Sequence, residues 1–248
     1  MTIPTNDPTP AGLPAGEPRL TRRTSLLRVG SALAGAVAGG LALDRTADAD
    51  AAGTGPAAVA SGLVRCVLTP EQTAGPYFTD GDQVRRDVRE GKKGVLLALR
   101  LGVVDASTCK PIKGAAVDIW HCDALGVYSA VAQQGTEGET FLRGIQRTNA
   151  AGVATFTTIY PGWYPGRTVH IHTRVYLGGS IVHTGQLYFP DAVTDVVYKR
   201  APYASRPNRD PRNAGDAIFR NGGSRSLLKL TRKGTGYVGT LTMGVARR

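Results

Sequence analysis

Alternating apolar and polar positions recur along the second two-thirds of the chain, in short runs separated by Gly, Pro, Asn and Asp. Period two is the signature of half-buried strands, and it predicts strands over Val95–Val104, Ala115–His121, Val153–Ile159, Thr168–Tyr176, Thr184–Phe189, Ser226–Leu230 and Tyr237–Met243. One helical stretch interrupts them. Asp191 is a candidate N-cap, and Ala192, Val193, Val196 and Val197 follow at helical spacing, so a short helix is expected over Asp191–Lys199. Residues 201–224 are polar, with Pro, Asn and Arg, and read as a long surface excursion. Several short strands with turn residues between them point to an all-β, single-domain β-sandwich with long loops and one short helix.

The amino-terminal third has a different texture. Residues 1–20 are rich in Pro and Thr. Arg22 and Arg23 then precede a mildly apolar Ala/Gly/Leu/Val stretch from Val29 to Leu43, and Ala47-Asp48-Ala49 offers a small-x-small cleavage site. This order is that of an export signal, and the paired arginines point to the twin-arginine route. Ser25 stands where that motif carries phenylalanine. The apolar stretch is too short and too weak for a membrane span, so no stable membrane anchor is expected. The expected organisation is an export signal over 1–49, a flexible Ala/Gly-rich linker over 50–62, and a folded domain over 63–248, released outside the cell. Three cysteines, Cys66, Cys109 and Cys122, fit one disulfide and one thiol left over in that compartment. The sequence does not choose the pair.

The chain has 248 residues and a net charge of +11. Basic residues are scattered, and no groove-reading motif accompanies them, so no nucleic-acid partner is expected. A basic surface that attracts acidic or anionic small molecules fits at least as well.

Candidate chemistry concentrates in Tyr160–Tyr176, YPGWYPGRTVHIHTRVY. His170 and His172 account for half of the four histidines. Strand period places both imidazoles on one face, close enough to share a metal ion. Tyr164 and Arg167 lie just upstream behind a Pro-Gly turn. Tyr128 follows the strand that ends at His121, and Tyr77 sits in an aromatic turn. Gln186 interrupts an apolar strand and needs a polar partner. Trp120 is assigned to the core; His121 and His183 stay unassigned between a place behind the metal ligands and, the better reading, a surface or buried structural role.

Four segments taken together, GPYF at 75–78, AAVDIWH followed by GVYS at 115–129, PGWYPGRTVHIH at 161–172 and GQLYF at 185–189, resemble the intradiol ring-cleavage dioxygenases. These non-haem iron(III) enzymes insert both atoms of O2 into catechols, between the two hydroxylated carbons, to give cis,cis-muconate-type diacids. The resemblance implies one iron held by Tyr128, Tyr164, His170 and His172, with Tyr164 as the ligand that leaves when substrate binds. It implies Arg167 as the catalytic cation beside substrate, and Tyr77 and Gln186 as further substrate-pocket residues. Phenolate is a hard anionic donor suited to ferric iron, and imidazole an acceptable one. Only six positions separate Tyr164 from His170, fewer than in the family's intracellular catechol enzymes, so a more open pocket is expected. The family's helical dimerisation segment is also missing, and a monomer or weak oligomer is the expected state. Two other functions compete: an exported β-sandwich module that binds carbohydrate or aromatic polymer without catalysis, and a zinc or copper enzyme in the same pocket. Two tyrosines are unusual zinc ligands.

Overall fold

The computed structural model describes residues 68–80 and 83–246. The export signal, the linker, Cys66 and the start of the folded domain near residue 63 lie outside them. Two four-stranded sheets form the body. The first orders β4 (Val153–Ile159), β1 (Leu96–Asp105), β8 (Gly236–Val245) and β7 (Lys229–Lys233); the second orders β3 (Arg143–Arg147), β2 (Ala116–Trp120), β5 (His170–Leu177) and β6 (Ser180–Tyr188). Every pairing is antiparallel except β1 with β8. The all-β sandwich expected from the pattern is the fold.

Alternation decides which side chains fill the sandwich. Leu97, Leu99, Leu101 and Val103 of β1 and Ala154 and Phe156 of β4 meet Val117 and Ile119 of β2, Ile171 and Val175 of β5 and Leu187 of β6 in one buried apolar cluster. Because successive strand residues face opposite ways, the residues between them in the second sheet point to its outer side. Trp120, His172 and Gln186 stand side by side across β2, β5 and β6, and His170 pairs with Tyr188. These outward side chains are nevertheless buried. Loops that cross the outer face bury them.

Several boundaries differ from the sequence expectation. Arg143–Arg147 (RGIQR) is a strand with no apolar alternation; it is an edge strand whose pairing with β2 carries it. β6 begins at Ser180 rather than Thr184, because a tight Gly178-Gly179 turn joins it to β5 as a hairpin. β7 starts at Lys229, after a one-turn 3-10 segment at Gly223–Ser226. The expected helix is present as α1 (Asp191–Val197). The 201–224 segment is not a bare surface excursion. It carries 3-10 turns at Tyr203–Ser205 and Asn213–Gly215 and a short α2 (Ala217–Arg220), and it buries Tyr203, Asn213 and Asp216. Cys109 is disulfide-bonded, while Cys122 is a buried free thiol, so one bridge and one spare thiol stand as the cysteine count required. Among the described residues no helix is long and apolar enough to cross a membrane.

Candidate metal and substrate site

Each expected site residue reaches the outer face of the second sheet by a different route. β5 carries His170 and His172. The loop after β2 carries Tyr128, whose backbone is fixed from both sides: its N–H donates to Gln134 Oε1 at 2.7 Å and its carbonyl accepts from Thr136 Oγ1 at 2.6 Å. The turn before β5 carries Tyr164, with Arg167 N–H donating to Tyr164 O at 3.2 Å across it. These two loops touch at Gly162, where a Cβ would lie 2.5 Å from the Asp123 carbonyl oxygen, a separation only glycine allows. A third segment, Thr73–Phe78, lays Tyr77 against Tyr128 with ring centroids 4.5 Å apart and places Gly75 directly against the His172 ring.

The donor atoms converge. His170 Nε2 lies 3.0 Å from His172 Nε2 and 3.2 Å from Tyr164 Oη. His170 Nδ1 is 2.7 Å from the Thr168 carbonyl, which can only accept, so Nδ1 carries the proton and the Nε2 lone pair faces its neighbours. Burial, with Arg167 adding to it, holds the His170 imidazolium down to about 3; burial likewise keeps His172 well below the usual histidine range. Both rings are therefore neutral donors. Tyr128 packs beside Tyr164 and His172, and its buried hydroxyl has no partner at hydrogen-bond geometry. Burial pushes the Tyr128 phenol far up and Tyr164 up to about 12, with Arg167 partly offsetting the latter.

Two imidazole lone pairs, a phenol at hydrogen-bond distance and an orphaned buried phenol make a costly apolar-lined pocket for a protein to fold around nothing. A trivalent cation answers every part of that cost. Bound here, it would take the histidine lone pairs, favour ionised phenols and give the Tyr128 oxygen a partner. The donor set N2O2 fits ferric iron. Among the described residues no cluster of three or more His, Cys, Asp or Glu offers a rival metal site.

Arg167 borders the donors. Its Nε donates to Asp216 Oδ2 at 2.9 Å, one terminal nitrogen donates to Gln186 Oε1, and the other lies 3.4 Å from Tyr164 Oη. Gln186 finds the polar partners its position demanded: Oε1 also accepts from Tyr188 Oη at 3.1 Å, and Nε2 donates to Thr73 O at 3.0 Å. All seven candidates, Tyr77, Tyr128, Tyr164, Arg167, His170, His172 and Gln186, thus gather at one place.

Three contributors escaped the sequence. Trp120 is core by burial, yet its indole stacks on His172 with planes 3° apart. Arg143 is buried, and donates to Tyr77 O and Ser129 O at 2.8 Å each, tying the Tyr77 turn to the Tyr128 loop. Asp216 accepts from Arg167 and from the Thr168 N–H at 2.8 Å. Burial alone would raise its carboxyl, but the Thr168 N–H and the Arg167 charge outweigh that and hold it low. Only the Asp-Ala-Ile-Phe start of α2 hinted at a capping role. His121 and His183, unassigned from the sequence, are both buried. His121 bonds Cys122 O and Thr158 Oγ1, and His183 lies against Glu71.

The chain is similar to several known dioxygenases. A family model described as Dioxygenase matches residues 72–198. An intradiol ring-cleavage dioxygenase from Tetranychus urticae is 36% identical, with a TM-score of 0.70, over 73% of this chain and 95% of that one. The dioxygenase domain of a dioxygenase carbohydrate-binding protein fusion from Streptomyces sp. SirexAA-E is 33% identical, with a TM-score of 0.56, over 71% and 96%. Catechol 1,2-dioxygenase 1 of Acinetobacter lwoffii is 31% identical over 101 residues, 39% of this chain. That match spans only 32% of the Acinetobacter protein, about a third of its length. By the family model and by the near-complete coverage of the mite enzyme, the chain belongs to the intradiol ring-cleavage dioxygenases, a family that uses non-haem iron.

Proposed function

We propose that this protein is a secreted Fe(III) intradiol dioxygenase that splits catechol-type aromatics with O2 into cis,cis-muconate-type diacids, with one iron held by Tyr128, Tyr164, His170 and His172. The observation that carries this is the convergence of Tyr164 Oη and the two histidine Nε2 atoms within 3.0–3.2 Å, beside the unpartnered phenol of Tyr128. Bound ferric iron would supply a Lewis-acidic centre that draws electron density from a chelated catechol ring.

The residues divide the remaining work. His170 and His172 stay neutral in the pocket and so keep their lone pairs. Tyr128 is fully buried and its backbone is clamped, whereas Tyr164 is half-buried on a turn. Tyr164 is therefore the phenol free to turn away and to hold a substrate proton at Oη, where the Arg167 charge eases its ionisation. Arg167, fixed by Asp216 and Gln186, presents a preorganised cation to the negative charge of an ionised catechol. Tyr77, Phe78 and Trp120 wall the pocket with aromatic surface and limit the water that reaches it.

Export rests on the Arg22-Arg23 signal, with cleavage near Ala49, a linker over 50–62 and the catalytic domain over 63–248. The Streptomyces relative comes from a cellulolytic bacterium and is joined to a carbohydrate-binding protein, a setting that suits aromatics released outside the cell. We assign no nucleic-acid partner, no membrane anchor and a monomeric or weakly associating state.

The test is a visible absorption spectrum of purified mature protein before and after catechol is added without oxygen. A broad phenolate-to-iron band that shifts with catechol, and returns as diacid forms in air, is expected. A protein that stays colourless after iron loading would discard the dioxygenase in favour of the binding module.

A further inference from the structure

The buried Asp216 carboxylate is shared between two segments of the chain. It is 1% exposed, and its two oxygens accept four hydrogen bonds. Oδ2 takes Arg167 Nε at 2.9 Å and Thr168 N–H at 2.8 Å; Oδ1 takes the Ile218 and Phe219 N–H groups at 2.7 and 3.1 Å, capping α2. One oxygen thus serves the turn that leads into β5, and the other serves the segment after α1, nearly fifty residues away in the chain. Asn213, from the same segment, accepts from Thr168 Oγ1 at 2.7 Å and donates to Phe189 O at 2.8 Å. The 201–224 segment is therefore fastened to the residues immediately before His170.

The guanidinium of Arg167 has a fixed fork geometry. With Nε on Asp216 and one terminal nitrogen on Gln186, the other is left facing Tyr164 Oη and His170 Nε2, each at 3.4 Å. Gln186 alone would hold one corner and let the plane swing. Asp216 supplies the second corner, and a carboxylate makes the stronger, charge-assisted bond.

We propose that Asp216 is the positioning residue of the active site: it orients Arg167 toward substrate and couples that orientation to the 201–224 segment. This rests on the dioxygenase function proposed above. Asp216 touches neither substrate nor metal donors; its main effect on ring cleavage passes through Arg167, while its bond from the Thr168 N–H steadies the backbone that enters β5. Asparagine at 216 can still accept from Ile218 and Phe219 N–H, but its amide NH2 then faces Arg167 Nε–H and Thr168 N–H, so Asp216→Asn spares the cap while breaking the hold on Arg167 and on the Thr168 N–H.

The experiment is a double-mutant cycle of Asp216→Asn and Arg167→Ala in the iron-loaded protein. It is read twice: as kcat and KM with catechol, and as anaerobic affinity for the coloured probe 4-nitrocatechol. Asp216→Asn is expected to lower kcat roughly tenfold, the scale of one lost charge-assisted bond, with the phenolate-to-iron band unmoved. In the Arg167→Ala background the same change should cost much less on either reading, because only the bond from the Thr168 N–H is left to lose. Asp216→Glu should recover part of the loss. If Asp216→Asn does not fold, the cycle is run with Asp216→Glu, which keeps both charge and cap and displaces the carboxylate by one methylene; the coupling criterion is the same. Independent, multiplying losses would overturn the proposal while leaving the dioxygenase intact. A wild-type protein that neither binds the probe nor turns over catechol would overturn the dioxygenase itself, and Asp216's role with it. In the metal-free protein, loss of the Arg167 Nε–H resonance on Asp216→Asn is the matching structural signature.

Discussion

At the end of the second sheet that carries the histidines, both faces are buried, and by opposite means. Its inner face, Val117, Ile119, Ile171, Val175 and Leu187, is covered by another sheet and needs only apolar side chains of the right size. Its outer face, Trp120, His172, Gln186, His170 and Tyr188, is covered by loops from four parts of the chain, and nearly every side chain there has a partner in a distant segment. Burial on the inner face is hydrophobic and non-directional. On the outer face each polar atom calls for a specific acceptor or donor, and the ones left without a hydrogen-bond partner include the phenol of Tyr128, Nδ1 of His172 and the indole N–H of Trp120. The contrast teaches that the sandwich is a support, and that function was added by sealing one of its outer surfaces.

The largest separation between the faces should come from removing donors. Tyr128→Phe and His170→Ala are expected to weaken the visible band and cut catechol turnover by orders of magnitude, and Tyr128→Phe should do so with little change in the melting of the metal-free protein. Tyr128→Phe should even stabilise that form, since it deletes an unpartnered buried hydroxyl. A wild-type band in both variants would move the metal elsewhere. Leu99→Ala, on the inner side, should do the reverse. It leaves a cavity in the inter-sheet cluster and should cost about 2–5 kcal/mol by urea unfolding. At temperatures where the variant remains folded, kcat should be close to wild type. A comparable loss of kcat would show that the faces are not separable.

The inner face was legible because alternation announces it. β1, β2, β4, β5 and β8 were each located within a few residues from period two alone. The outer face was legible where two histidines stood in strand register; Tyr77, Tyr128, Tyr164, Arg167 and Gln186 were picked out through the resemblance of their segments to a known family. Asp216 and Arg143 carried no such mark. An aspartate before a short helix reads as a cap, and an arginine in the polar run RGIQR reads as solvated. Their partners, Arg167 and the Tyr77 and Ser129 carbonyls, are 49, 66 and 14 positions away. Local pattern cannot report contacts at that range. For the same reason β3, which is held by pairing rather than by apolar periodicity, was missed.

His121 tests the inner side by proton linkage. It sits just past β2, with Nδ1–H donating to Cys122 O at 2.8 Å and Nε2 accepting from Thr158 Oγ1 of β4 at 2.7 Å, so only the neutral ring satisfies both. Burial brings it down from 6.5 to about 4. The folded state thus binds its proton later than the unfolded chain does. The stability it protects is complete above pH 6.5 and drains away as pH falls toward 4, on the order of 3 kcal/mol for this group. Urea titrations from pH 7.5 to 4 should show a shallower acid loss in His121→Gln than in wild type. Parallel curves would mean that this ring titrates normally.

The smallest expected effect draws the finest line between the faces. Gly75 and Gly114 both occupy left-handed backbone, at φ +71° and +80°. Alanine in that conformation costs roughly 1–2 kcal/mol at either position. They differ in what a Cβ would meet. At Gly114, in the connection between β1 and β2, there is nothing within 4 Å; at Gly75 the new methyl would lie 3.1 Å from His172 Cε1. That ring already stacks on Trp120, so the Thr73–Phe78 turn must lift by a few tenths of an ångström and carry Tyr77 away from Tyr128. Gly75→Ala and Gly114→Ala should therefore melt at similar temperatures. Only Gly75→Ala should shift the phenolate band and lower kcat severalfold, because reacting groups held in place lose rate when displaced by fractions of an ångström. Equal kcat values in the two variants would mean that the Thr73–Phe78 turn merely covers the outer face and does not hold the histidine in place.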